Sequence, residues 1–510
     1  MHEITEEGRR DGLWVDEQIW GHRLHDEQSP WLTFLEFLTV FHALRQTAFK
    51  NHRSKGEPLN YVPQRQIRLR NILFNNPHFV ELKELSNLSS DEAWSLWFKR
   101  MSRNPSGDPT TGLKLLDLQQ AFATFQDFVR AVEYFRRTAV EGLANKRWTT
   151  RFVFPFGASA LYEDLAEKGK SFQTDRLFFA RTGELLYLML CRAKQSGELA
   201  EALTRLFFSA TTASEQLIGI LQGTRNPADT QRTGAFLPHE TRPEFDLLAE
   251  DWLALLNRGM PGLDVIPHLV TIGALHLWRY FLNLAAERLE LDRPLVLIEM
   301  VGTQRTAIRA LSTDSYDQNN ALPWRAVEDM LHAVRQRSDW AAWSTGPDGR
   351  EKLLDQLTNE FGWPHPKERR DYQTQSADSI LQALISEART RHRGHLGKIH
   401  GTWARELGLA SRRSSRRVRY APTDRLLKTL VFAHVPDRLE VKSFLRLLNE
   451  RYGFVIGDAE GQHWIREGQA DKEDFKRNAQ RLEERLSSLG LAERLSDACA
   501  YVQSTGGLGA

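Results

Sequence analysis

The chain has 510 residues, of which 41% are apolar and 26% charged, so one core is not the default and about three domains are expected. Its two cysteines, Cys191 and Cys499, exclude a disulfide framework and a thiolate metal site, and suit a reducing compartment. The formal net charge is only +2, which hides an uneven distribution along the chain.

The N-terminus, MHEITEEGRRDGLW, lacks an apolar h-region, so no secretory signal and a cytoplasmic location are expected. Helix-period spacing then dominates, and the expected fold class is mainly α: a large multi-helical body with a C-terminal winged-helix-like domain. Residues 1–150 read as an N-terminal helical domain. Pro30 to Ala48 has proline in the first turn and apolar residues three and four apart. Ser90, Asp91 and Glu92 precede a second helix, and Leu113 to Ala144 reads as one long helix with an apolar stripe from Leu115 to Val132.

Residues 151–376 read as a central, mainly helical domain. RFVFPF at Arg151 to Phe156 is a strand candidate, and PLVLIEMVG at Pro294 to Gly302 is either a strand or a buried helix. Leu269 to Leu289 is the longest apolar stretch, but His276, Arg279, Glu287 and Arg288 interrupt it; it reads as a buried helix, not a membrane span. Asp314 to Asn320 reads as a capped loop. The tryptophans follow no fixed period and read as core packing.

Residues 377–422 read as a basic helix with glycine breaks at Gly394, Gly397 and Gly401, followed by an exposed linker, LASRRSSRRVRYAPTD. Residues 423–510 carry a helix capped by Thr423, a turn at Pro436 and Asp437, a second helix, a third from Asp471 to Gly490, and two short strands around Ser496 and Asp497. That order is the winged-helix pattern. On the third helix Lys472, Lys476, Arg477, Arg481 and Arg485 are offset by Asp471, Glu473, Asp474, Glu483 and Glu484, which argues against base reading from it.

The charge is concentrated just upstream. Arg389, Arg391, Arg393, Lys398, Arg405, Arg412, Arg413, Arg416, Arg417 and Arg419 face a single acid, Glu406. This window carries +9, so the rest of the chain stands at about −7 against the total of +2. A block of unopposed cations is the electrostatic footprint of a polyanion partner, DNA before RNA, gripped through phosphates without sequence reading. The alternative is an acidic face of a partner subunit.

Chemistry is harder to find. No G-x-S-x-G, H-E-x-x-H or nucleotide-binding glycine fingerprint occurs. His392, His395 and His400 lie among arginines that repel a cation, so phosphate contact or plain exposure is the reading for them, with no metal. Glu299, Asp314 and Asp317 would be the carboxylates of a diverged metal-dependent nuclease, although a buried, hydrogen-bonded acid suits Glu299 better. Cys191 reads as an inert core thiol. No catalytic residue, metal or cofactor is assigned.

Arg151 to Leu165 (RFVFPFGASALYEDL), Phe178 to Ala193 (FFARTGELLYLMLCRA), YGFVIG and LGLAERLSDACAYVQ resemble uncharacterised proteins of bacterial anti-phage defence gene clusters. The resemblance implies a non-catalytic accessory subunit that works with ATPase, helicase or nuclease subunits, and it carries over no site residue. A scaffold that does not bind nucleic acid is a further alternative.

Overall fold

A computed structural model describes residues 14–504 except 22–27, 46–48, 50–56, 63, 67, 75, 77–81, 83–87, 102–114, 141–150, 162, 169–170, 175–180, 210, 224–225, 228–231, 302–306, 413–416 and 497–498. The described chain is mainly helical with a few small sheets. It divides into two compact units, one made of residues 27–236 with 259–266, the other of residues 1–26, 237–258 and 267–510.

In the first unit, α1 (Pro30–Ala43) begins with Pro30 in the first turn, as its sequence predicts; the structure adds a cap, the Ser29 hydroxyl accepting from the Leu32 amide at 3.2 Å. It is buried almost all round and packs on α4 (Thr182–Cys191), equally buried. Gly183 permits the crossing, since a Cβ there would stand 2.5 Å from the Phe37 backbone nitrogen. The Glu36 carboxylate caps α4, accepting from the Arg181 amide at 3.0 Å, the Gly183 amide at 2.7 Å and the Gln28 side chain at 2.9 Å.

A second core in this unit joins α2 (Ser90–Met101) to α3 (Phe125–Arg137) through Trp94, Trp97, Phe125 and Phe128. The long helix expected over Leu113 to Ala144 is broken. A short helix covers Leu116–Ala121, the chain extends at Phe122, and Thr124 starts α3 afresh by accepting from the Asp127 amide at 3.2 Å. A threonine cap thus interrupts an apolar stripe that is otherwise continuous. Only Phe152–Val153 of the RFVFPF segment is a strand.

In the second unit, α5 (Pro243–Leu256) and α6 (Ile266–Arg288) are followed by β1 (Val296–Leu297). Charges that interrupt α6 find partners: His276 meets Asp251, and Arg279 donates to the Pro294 carbonyl at 2.9 Å and to Asn283 Oδ1 at 2.9 Å, while its Nε has no hydrogen-bond partner among the described residues. No described helix is long and apolar enough to cross a membrane.

The next helix, α7 (Ala307–His332), contains the whole Asp314 to Asn320 run, so the expected loop is helical. Its serines and asparagine serve neighbouring backbone. The Ser312 hydroxyl exchanges hydrogen bonds with the amide and carbonyl of Tyr420, Ser315 Oγ accepts from the Leu297 amide, and Asn319 donates to the Leu295 carbonyl. A polar face pressed on strand ends has the composition of a loop.

Basic helix α8 (Ala377–Gly394) and α9 (Leu396–Glu406) are separated only at His395. Gly397 and Gly401 do not break α9. At Gly401 a Cβ would come 2.5 Å from the Tyr316 hydroxyl of α7, so glycine lets the two helices approach. The expected linker is a ribbon at both ends: β2 (Ala410–Ser411) pairs antiparallel with β3 (Arg419–Tyr420), and Leu409, Ala410, Tyr420 and Ala421 are buried.

The C-terminal region runs α10 (Asp424–His434), β4 (Arg438–Glu440), α11 (Val441–Tyr452), β5 (Phe454–Val455), a short helix at Gln462–Arg466, α12 (Lys472–Ser488), β6 (Ala492–Ser496) and β7 (Cys499–Gln503). β7 lies between β4 and β6, antiparallel to both. β5 pairs instead with β1, in parallel. Asn478 of α12 fastens that join, donating to the carbonyls of Ile298 and Ile456 at 2.8 and 3.0 Å and accepting from the Met300 amide at 2.7 Å.

Candidate nucleic-acid interface

The ten basic residues occupy three different situations. Arg389 and Arg391, on the last turns of α8, are engaged: Arg389 donates to Glu328 at 2.8 Å and lies 4.9 Å from the Trp324 ring, while Arg391 donates to Glu387 at 2.6 Å and lies 4.1 Å from the Trp14 ring. Arg393, Lys398, Arg405, Arg412 and Arg417 are exposed. Arg413 and Arg416 lie outside the described residues.

Arg419 does not share the exposed surface. It is buried in β3 and donates through Nε to the buried carboxylate of Glu299. The sequence reading that Glu299 is a buried, hydrogen-bonded acid holds, and its partner is one of the arginines expected to touch phosphate. A guanidinium enclosed with a carboxylate has no exposed edge for a polyanion.

The nuclease constellation does not assemble. Asp314 and Asp317 are exposed on α7 while Glu299 is buried against Arg419. Among the described residues no group of three His, Cys, Asp or Glu side chains is placed to hold a metal ion.

The histidines also depart from expectation. His392 and His400 are buried rather than exposed to phosphate. Burial lowers their proton affinity, to a pKa of about 4 for His392 and about 3 for His400. Both are therefore neutral at pH 7 and add nothing to the positive surface. His400 Nε2 sits 3.0 Å from the Tyr420 hydroxyl, so it helps hold the ribbon against the helices.

Burial raises the pKa of the Tyr316 phenol on α7; the charges of Arg405 and Arg412 oppose that shift and the charge of Asp317 adds to it. On α12, by contrast, Lys472 reaches Asp458 at 3.6 Å, Lys476 reaches Glu473 at 3.8 Å and Arg485 reaches Asp424 at 2.6 Å. The near-neutral charge count of that helix is thus expressed as actual ion pairs.

Sequence reasoning missed a buried polar cluster centred on Asp251. Its carboxylate accepts from His276 Nε2 at 2.7 Å, from the Tyr452 hydroxyl at 2.6 Å and from Arg451 Nε at 3.0 Å. His434 Nε2 lies 2.9 Å from the Tyr452 oxygen, whose proton is committed to Asp251, so the histidine donates. Burial raises the Asp251 pKa, but the hydrogen bond from His276 and the surrounding positive charge outweigh it and hold the group at about 2. The available signal was a lone polar residue on the apolar face of four separate helices.

These features define a mainly helical protein whose last third mixes helices with small sheets beside a basic ribbon. The model of a family described as methylation-associated defense system protein MAD7 matches residues 352–504. The chain is therefore similar, over less than a third of its length, to a defence-system protein, in agreement with the resemblance to defence-cluster proteins. YGFVIG and LGLAERLSDACAYVQ fall inside the match, and the two passages between Arg151 and Ala193 fall outside it. No curated protein and no solved structure gives a significant match.

Proposed function

We propose that this chain is a non-catalytic accessory subunit of a defence assembly. It grips nucleic acid, DNA before RNA, through phosphates and without sequence reading, and it docks partner ATPase, helicase or nuclease subunits. In this reading residues 423–510 are a winged helix, because α10, α11 and α12 carry β4 after the first helix and the β6 and β7 pair after the third.

The observation that carries the proposal is the cluster of exposed cations, Arg393, Lys398, Arg405, Arg412 and Arg417, within the stretch similar to a defence-system family. Each phosphate neutralised on duplex DNA contributes about −0.9 to the slope of log affinity against log salt. Arg412, Arg413, Arg416 and Arg417 are the best single group to remove.

Changing these four to Ala should weaken binding equally for two unrelated duplexes and flatten the salt slope by up to about 3.6. Unchanged affinity overturns the proposal. Loss of complex assembly on charge reversal, without DNA affinity in the parent chain, supports a scaffold instead.

A further inference from the structure

Resting on that reading, we infer that the nucleic-acid footprint does not stop at the ribbon but continues onto the first helix of the C-terminal region, through Arg425 and Lys428 of α10, and bypasses its third helix.

The backbone stitches the two surfaces together. The Leu409 amide donates to the Ala404 carbonyl, the Ala421 amide to Leu409 and the Thr423 amide to Gly408, each at 2.8 Å. The end of α9, the base of the ribbon and the start of α10 are therefore one rigid corner. Gly408 makes it possible: its φ is +78°, and a Cβ would stand 2.1 Å from the Thr423 hydroxyl. Arg425 then donates from Nη2 to the Glu406 carbonyl at the C-terminal end of α9.

Charge follows the same path. Arg405, Arg412, Arg425 and Lys428 are all exposed, and among the described residues none of the four has a carboxylate within ion-pair distance. Lys428 stands one turn beyond Arg425, on the same face of α10. The acids on this path include Asp317, whose charge acts on Tyr316 together with those of Arg405 and Arg412, Glu406 at the end of α9, and Asp424, which is met by Arg485 of α12. On α12 the pairs to Asp458, Glu473 and Asp424 take up three cations, and Arg477 is exposed beside the exposed acids Glu473 and Glu484. A polyanion laid over the ribbon meets unopposed charge along α10 and mixed charge along α12.

Arg425 also caps α9, so its loss mixes charge with stability. Lys428 is exposed and, among the described residues, makes no hydrogen bond or ion pair, so it gives the clean test. The full-length chain is titrated against a labelled DNA duplex by fluorescence anisotropy from about 50 to 200 mM salt, as parent, Lys428→Glu, Arg425→Lys, Arg477→Glu and the fourfold ribbon variant. Lys428→Glu is expected to lower affinity about tenfold and to reduce the salt slope by about 1; Arg425→Lys and Arg477→Glu should bind like the parent. Parental binding by Lys428→Glu, with loss in the ribbon variant, overturns this inference and leaves the proposed function standing. Loss in Arg477→Glu alone overturns it in favour of the third helix. Failure of the parent chain to bind any duplex overturns both.

Discussion

Arg419 and Glu299 form a buried ion pair although 120 residues separate them in the chain. The pair joins β3 to the segment that follows β1, and the Glu299 amide donates to the Tyr420 carbonyl at 2.9 Å alongside it. The basic ribbon is thereby anchored in the helical core at the very end of its charge run.

Removing the charge of one member leaves the other buried without that counter-ion. Arg419→Ala or Glu299→Gln should lower stability by about 3–5 kcal/mol, read as a shift in the denaturant midpoint. Arg412→Ala, at an exposed site, should cost less than about 0.5 kcal/mol. Equal, small effects from all three substitutions contradict the burial of the pair.

Asp251 is ionised in the fold down to a pKa of about 2, below its ordinary value. A depressed carboxylate stabilises the folded state above its unfolded pKa and ceases to do so as pH falls through the folded one. Its contribution, about 2 kcal/mol, should therefore disappear between about pH 4 and pH 2. Asp251→Asn should abolish that acid step in a series of unfolding curves, and an unaltered step assigns it elsewhere.

The buried histidines act in a different window. His392 and His434 are pushed down to about 4 and His400 to about 3, all by burial first. The unfolded chain takes up protons at these sites below about pH 6.5 while the folded chain does not. Stability is thus highest above that pH and should fall as pH drops toward 4, by up to about 1.4 kcal/mol per pH unit for each histidine. His400→Gln should reduce the slope by about one proton. A flat profile from pH 7 to 4 would show that these rings do not remain neutral in the fold.

Asn478 satisfies three backbone groups at the β1 and β5 join. Asn478→Leu fills similar volume but orphans two carbonyls and an amide, so a loss of roughly 3 kcal/mol is expected, measured by thermal or chemical unfolding. Amide exchange at Met300 should quicken as well. A neutral Leu substitution would mean that water takes over all three groups.

What was legible in the sequence was local. Pro30 starts α1, Thr423 caps α10, and Gly490, with φ +72°, follows the end of α12. Each signal acts within four residues, where hydrogen-bond geometry and φ preference decide the outcome without help from distant chain. The hairpin strands after α12 belong to the same class.

Local pattern and structure part company where a polar residue serves a distant partner. Asp314 to Asn320 looked like a loop because Ser315 and Asn319 are polar, yet they bond the backbone around Leu295 and Leu297. His392 and His400 looked exposed because arginines flank them, yet a helix turns successive residues to opposite sides and buries these two. Arg419 belongs with its neighbours by charge, which is additive along the chain, but not by burial, which is not.

By itself, then, the sequence determined the helical character, the caps and the concentration of charge, all properties of short stretches. Only the tertiary structure decided which cations stay in water. Pairing with Glu299 removes Arg419, ion pairs and tryptophan rings engage Arg389 and Arg391, and the corner at Gly408 brings Arg425 beside the end of α9. Desolvation and partner distance set the availability of a charge, and both depend on residues far away in the chain.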